Sequence, residues 1–599
     1  MKKKVTPSYF WPNLTAMFFD QVDKLGDKPF LWAKRNGVYK SLSWHDTAAK
    51  VTGLTRGLKT LGVQSGDRIV LVSENRPSWL IADIAIMTSG AITVPTYTTN
   101  TEADHLHVLS DSKAKGAIVS TNKLAEKLLK SVRYAPDIEF VITMEPVTHF
   151  NPSGYELLDL LTVEERGRAG RDNVVKMARD ASPDDTACMI YTSGTGGTPK
   201  GVMLSHKAIM HNCEGAVDAL RDINLSDEVF LSFLPLSHSY EHTAGQFFPM
   251  SIGAEIYYAE GIEALGSNML EARPTIMTAV PRLYEMLHGR ITTGLKNAGG
   301  LREKLFLQAL KLGTQRYLEK PLGPIGTIQN VILDRVVRDK VRNRFGGRLK
   351  ALVSGGAPLN PDIAMFFTGL GLRIMQGYGQ TETAPVVCVN RASQIKLHTV
   401  GTPLKNTRVK IADDGEILVA GDLIMQGYWN DPEATKNTIK NGWVHTGDIG
   451  KFDSDGHLII TDRKKDIIVN SGGDNIAPQR VEGIICIEPE ISQAMVYGDN
   501  HPYIVALIVP NESLLKDWIS AKGKTGKLAD ISDDPDFIKV ISGAIARVNN
   551  KLSNIEKVRK FIIADTPFTL QNAQLTPTMK IRRHKLKEIY NNRLERLYR

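Results

Sequence analysis

From about Leu42 onward the chain alternates short apolar runs with stretches of helical period. Parallel strands need long, usually helical, crossover connections, so this alternation predicts an α/β fold with a largely parallel sheet. Arg68-Ile69-Val70-Leu71-Val72, Ile92-Thr93-Val94-Pro95, Gly116-Ala117-Ile118-Val119 and Phe140-Val141-Ile142 read as strands. Pro77 suits the first turn of a helix running to about Ser89. Further strands are expected at 229–234, 255–258, 275–280 and just before the Ser354-Gly355-Gly356-Ala357-Pro358 turn. Between about 281 and 348 lies a long helical stretch rich in Lys304, Lys311, Arg335, Arg338, Lys340 and Arg342. It reads as a solvated face, or as a surface for lipid headgroups or phosphates. From about 400 to 460, Asp414-Gly415 and Asp455-Gly456 separate short strands, which predicts an antiparallel sheet or small barrel. A smaller α+β unit follows Arg463, and its basic tail carries Leu586, Ile589, Tyr590, Leu594 and Leu597 at helical spacing. The expected organisation is a large N-terminal domain of αβ-layered sheets with a barrel-like subdomain, 1–463, and a small mobile α+β domain, 464–599.

Inside this pattern sits Tyr191-Thr192-Ser193-Gly194-Thr195-Gly196-Gly197-Thr198-Pro199-Lys200-Gly201. Glycines let backbone N–H groups close on a bulky anion. The hydroxyls donate hydrogen bonds and the lysine adds a point charge. Together they suit a polyphosphate. The order is not the Walker A pattern, because Pro199 precedes the lysine and Gly201 follows it. The plainer alternative is an ordinary Gly/Ser/Thr surface loop.

A chain of 599 residues, 42% hydrophobic and 23% charged, is long enough for more than one core. Its formal charge of +9 suits anionic small molecules or an anionic membrane surface and gives no reason to expect nucleic acid. Cys188, Cys213, Cys388 and Cys486 lie far apart, so neither a disulfide framework nor a zinc site is expected, and a reducing cytoplasm is the natural setting. After Met1-Lys2-Lys3-Lys4, residues Pro7, Pro12 and Asn13 interrupt any signal-like run. The most apolar window, from Trp79 to Val94, contains Asp83 and is too short to span a bilayer.

Four further clusters carry chemistry. Gln376-Gly377-Tyr378-Gly379-Gln380-Thr381-Glu382 offers a flat ring among glycines and an oxygen ligand suited to Mg²⁺. Trp443-Val444-His445-Thr446-Gly447-Asp448 ends in a carboxylate able to take two ribose hydroxyls. Asp462-Arg463-Lys464-Lys465-Asp466 is a charged junction ahead of Ser471-Gly472-Gly473, and Leu575-Thr576-Pro577-Thr578-Met579-Lys580 sets one lysine after a turn. Each alone could be a surface turn. In this order, with the phosphate loop, they resemble the adenylate-forming superfamily over nearly the whole chain. Ser237-His238-Ser239-Tyr240-Glu241-His242 and Val280-Pro281-Arg282 are most similar to its long-chain fatty acyl-CoA synthetases.

The resemblance implies roles at matching positions. Thr192, Ser193, Gly194, Thr195 and Lys200 would form the phosphate loop. Gly356, Ala357 and Tyr378, with Gln376 and Gly379 of the same cluster, would hold the adenine side. Thr381 would touch the α-phosphate, Glu382 the Mg²⁺, and Asp448 and Arg463 the ribose. Lys580 would promote adenylation, Lys465 would be the hinge, and Gly472 and Gly473 would line the pantetheine channel. His238 would stand beside the acyl carboxylate, and His242 is a weaker candidate for a gate to the acyl tunnel. Three departures stand out: Gly196 for a threonine, Asp462 for a glycine, and Thr578-Met579 where Ser-Gly is commoner.

The implied reaction joins a fatty acid to ATP, releases pyrophosphate, and transfers the acyl group to CoA. A carrier-protein or luciferase-like acceptor, a medium-chain or aromatic acid, and a non-catalytic nucleotide-binding scaffold remain the alternatives. Peripheral contact with an anionic membrane and a homodimer are further expectations.

Overall fold

The computed structural model describes residues 11–147, 154–192, 198–464, 466–472, 474–521, 528–569, 571–576 and 580–599. Two large sheets dominate the first 430 residues. The first has eight strands and is parallel through Ile92–Thr96, Arg68–Val72, Gly116–Val119, Phe140–Thr143 and Glu156–Asp159. These central strands read as unbroken Val/Ile runs because both faces are buried. The second has nine strands, parallel at its centre through Glu255–Tyr258, Val229–Ser232, Ile276–Ala279, Ala351–Ser354 and Ile374–Gly379.

The helix Pro77–Thr88 contacts strands of both sheets, which is why it is apolar nearly all round. Its one carboxylate, Asp83, is fully buried and accepts at 2.8 Å from His242 Nε2. That pairing is why the most apolar window of the chain tolerates an acid. It also places His242, the weaker candidate gate, in a closed core contact against Trp79.

The expected long helical stretch is four α-helices, Pro281–Ala298, Gly300–Tyr317, Gly323–Leu333 and Asp339–Arg344, with a π turn Asp334–Arg338 between the last two. Gly299 and Gly300 break it with φ of +52° and +60°, values that side chains resist. Not all of its cations face water. Arg338 is buried and donates to the carbonyls of Gly369 at 3.0 Å and Ala309 at 2.5 Å.

A five-stranded antiparallel sheet follows, with Trp443–Phe452 at its centre and Leu458–Arg463 on one side. From Ile468 onward the chain builds a separate core of its own. It packs the strands Ile491–Tyr497, Ile504–Pro510 and Val558–Ile563 against the helices Pro478–Ile485, Pro535–Asn549 and Arg583–Glu595. In the last helix Leu586, Tyr590 and Leu594 are buried at a strict four-residue spacing, so Ile589 falls on the solvent side.

Candidate active site

The phosphate-loop segment joins a strand pair that departs from the parallel rule. Thr186–Thr192 runs beside Ile92–Thr96, then returns antiparallel as Lys200–Ser205, pairing Thr192 with Lys200. The two ends of the loop are therefore pinned side by side. Ser193, Gly194, Thr195 and Gly196 lie outside the described residues. Around the base, His107 Nε2 donates to the Pro199 carbonyl at 2.8 Å and Tyr191 donates to Asp111 at 2.6 Å. The backbone N–H of Trp429 donates to the Gly201 carbonyl at 2.7 Å.

Lys200 pairs with Asp431 at 2.8 Å and lies 5.4 Å from the centre of the Tyr428 ring. The Tyr428 hydroxyl donates to Glu382 Oε1 at 2.9 Å. Glu382 Oε2 has no protein partner among the described residues. A hard carboxylate oxygen suits Mg²⁺, which takes one or two carboxylates together with substrate phosphates. Tyr428 and Asp431 escaped the sequence reading. Tyr428 ends a strand, Gly427–Tyr428, only two residues long, and Asp431 caps the short helix Pro432–Thr438, so neither lies in a periodic pattern.

The strand Ile374–Gly379 brings up the next group. The Tyr378 hydroxyl donates to Asp448 Oδ2 at 2.7 Å, and Arg463 Nε lies 3.5 Å from Asp448 Oδ1. Asp448 and Arg463 are direct partners across antiparallel strands. Burial pushes the Asp448 carboxyl up, while Arg463, Tyr378 and Lys580 pull it down. Gly379 permits the close turn here, since a Cβ would stand 1.7 Å from the Pro385 carbonyl oxygen. Gln376 is buried, and its side chain donates to the Leu397 carbonyl at 2.5 Å, so it braces the wall from behind. Gly356 and Ala357 lie in the turn after Ala351–Ser354, with Ala357 exposed.

Thr381 meets Ser239 at 3.0 Å between hydroxyls. One residue earlier, His238 Nδ1 accepts from the Tyr240 backbone N–H at 3.2 Å, which assigns the proton of the neutral ring to Nε2. Burial, with Lys580 nearby, pushes the ring down to about 4. At neutral pH it is therefore an uncharged donor.

Lys580 comes from the C-terminal unit, its turn held by Thr576, whose hydroxyl accepts from the Lys580 N–H at 3.0 Å. By surface area Lys580 is exposed, yet nearby protein crowds its ammonium. That crowding lowers its pKa and Arg463 lowers it further, while Asp448, Asp466 and Glu382 oppose the shift. Lys580 thus shares an electrostatic environment with Glu382, Asp448, Arg463 and His238. Gly472 donates its N–H to Asn470 Oδ1 at 2.9 Å in a turn of the C-terminal unit. Lys465, Gly473, Thr578 and Met579 lie outside the described residues.

Residues 18–429 match the AMP-binding enzyme family, and residues 465–599 match the AMP-binding enzyme C-terminal domain. The chain belongs to the AMP-binding enzyme family. It is 34% identical over 596 residues to the long-chain-fatty-acid–CoA ligase FadD15 of Mycobacterium bovis, covering 98% of this chain and 97% of that protein. It is 28% identical to human long-chain-fatty-acid–CoA ligase 1, covering 98% of this chain and 87% of that one. The fold of this family member is similar to the adenylation domain of a carboxylate reductase from Mycobacterium chelonae. That match has a TM-score of 0.77 at 21% identity and covers 99% of this chain and 92% of that one. It is also similar to the anthranilate CoA ligase AuaEII in complex with anthranoyl-AMP, with a TM-score of 0.71 at 20% identity, covering 98% and 99%.

Proposed function

We propose that the protein activates a long-chain fatty acid with ATP, releasing pyrophosphate, and passes the acyl group to CoA with release of AMP. What supports this reading is the electrostatic influence between Lys580, on the C-terminal unit, and Glu382, Asp448 and His238. Bringing a carboxylate against the α-phosphate sets anion on anion, about 4 kcal/mol per charge pair at 4 Å and an effective dielectric near 20. Cationic and hydrogen-bonding groups must offset this where charge builds. Lys580 supplies the ammonium and Lys200, with the phosphate loop, holds the β/γ end. His238 donates from Nε2 to the acid, Thr381 orients the α-phosphate, and Asp448 with Arg463 takes the ribose. Mg²⁺, when bound at Glu382, supplies further neutralisation of the phosphates.

In this reading residues 1–463 hold ATP and the acid, and 464–599 carry Lys580. Lys580 and the CoA thiol need the same approach to the carboxyl carbon. The C-terminal unit therefore turns about Lys465 between the two steps, bringing Gly472 and Gly473 to the pantetheine. The enzyme works in the cytoplasm on the fatty acid, ATP and CoA, and sedimentation of the full chain tests for a homodimer.

The test is CoA-dependent AMP release over acids from acetate to very long chains. Turnover rising with chain length into the long-chain range is expected. Release with acetate or benzoate alone would overturn the substrate class, and release only with a carrier protein would overturn the acceptor.

A further inference from the structure

Sixteen large apolar side chains stand exposed among the described residues, and eight of them lie between 301 and 336. The centre of this concentration is the helix Gly323–Leu333, which buries only Asn330 and Leu333. Ile325, Ile328, Ile332 and Val336 follow one another three and four residues apart and are 74%, 64%, 55% and 43% exposed. A surface helix ordinarily turns its aliphatic stripe inward and its polar side out. This one is reversed, and the reason is visible: the buried Arg338 donates to Asn330 Oδ1 at 2.9 Å and needs that amide inside. The outward aliphatic face is thus fixed by a polar staple. A bond of 3.3 Å from Gln308 to Gln329 ties the helix to Gly300–Tyr317, with Leu307, 54% exposed, one residue away.

Charge completes the surface. Lys304, Lys311, Arg316, Lys320, Arg335 and Lys340 are exposed and form no ion pair among the described residues. The nearby Asp334 and Asp339 are already engaged by Arg342, and Asp334 also by Arg338. We propose that this face docks the protein onto an anionic lipid bilayer, the aliphatic side chains entering the headgroup boundary and the cations meeting lipid phosphates. Protein–protein hot spots favour Tyr, Trp and Arg and exclude Lys. Here no exposed large apolar side chain of the segment is aromatic, and counting Arg302 four of the seven exposed cations from 302 to 340 without an ion pair among the described residues are lysines, the composition of an interfacial amphipathic surface. No helix among the described residues is long and apolar enough to cross a membrane, so the contact is one of resting on the surface.

The inference goes beyond acyl activation and does not depend on it. The full chain is floated with vesicles of phosphatidylcholine alone and of phosphatidylcholine mixed with phosphatidylglycerol. It is expected to float with the mixed vesicles at low salt and to fall away roughly tenfold at high salt. The variant Ile328→Glu/Ile332→Glu is expected to lose binding roughly tenfold or more. The variant Lys304→Gln/Lys311→Gln/Lys320→Gln is expected to lose the preference for anionic vesicles. These positions are exposed, so both variants should keep the wild-type melting temperature and wild-type turnover of a water-soluble acid, which reports on the reaction separately. Equal binding to both vesicle types, no flotation at all, or unchanged binding by the isoleucine variant would overturn the proposal. So would a switch from dimer to monomer in that variant with vesicle binding intact, which would make the face a self-association surface.

Discussion

Lys580 carries the proposed adenylation step, and its electrostatics set a direction for its pH dependence. Crowding and Arg463 lower its pKa below the ordinary 10.5, so it loses its proton at a lower pH than a free lysine. If the ammonium drives adenylation, pyrophosphate exchange should fall with rising pH before that ordinary value is reached. Lys580→Arg should move this fall upward, because arginine stays charged. Lys580→Ala should cut exchange about 10²–10³-fold, the loss typical of removing one transition-state charge partner. It should spare thioester formation from preformed acyl-AMP, and an alanine variant with wild-type exchange would remove Lys580 from the first step. The residues named from sequence were those whose chemistry is local: a carboxylate, a lysine or a ring beside glycines. Tyr428 and Asp431 were not legible, because their partners Glu382 and Lys200 lie 46 and 231 positions away in the chain and meet only through the fold. Arg338 misled for the opposite reason, since a buried cation bonded to carbonyls looks the same in sequence as a solvated one.

Among elements, the strand Leu458–Arg463 carries the largest anomaly at its end. Burial, reinforced by Asp466, pushes the Asp462 carboxyl up to about 6. The Arg463 backbone N–H, which donates to it at 2.6 Å, and Arg583 only partly oppose this. A folded value above the unfolded 3.8 means the ionised form is disfavoured in the folded protein. The cost is absent below the unfolded value, grows as pH rises between the two, and is complete above about 6. Asp462→Asn should therefore raise the melting temperature at about pH 8 and leave it nearly unchanged at about pH 4. An equal shift at both pH values would show that the carboxyl does not titrate as its surroundings dictate. Elements themselves were well written in the sequence where both faces are buried: 68–72 and 116–119 appear as strands at the expected positions. The helical stretch from 281 was legible as helix but not as several helices, because positive-φ glycines break it without disturbing its composition.

For the whole molecule, the two interiors are distinct. The core of 468–594 includes no residue before Ile468. Contacts reaching back across the chain include Arg282 to the Ser492 carbonyl and Asn360 to the Gly483 carbonyl, each at 3.3 Å. Bodies with separate cores unfold as separate cooperative units. Calorimetry of the full chain should resolve two transitions, and the smaller should recur in an isolated 464–599 fragment. A single transition with equal calorimetric and van't Hoff enthalpies would refute the separation. The change of pattern after Arg463 led the sequence reading to expect two units, while the polar contacts between them, such as Arg282 to Ser492, leave no periodic trace.

Separate interiors change what motion costs. The turn bearing Lys580 is anchored by the Leu575–Ile581 bridge and by Leu575 within the C-terminal interior, so the lysine travels with a stiff body as the tip of a lever. In the proposed rotation, swinging that lever would break contacts such as Arg282–Ser492 and Asn360–Gly483 and would leave the C-terminal interior packed. On the proposed two-step reaction, replacing one catalytic face by another would then require the loss of what the lysine was holding.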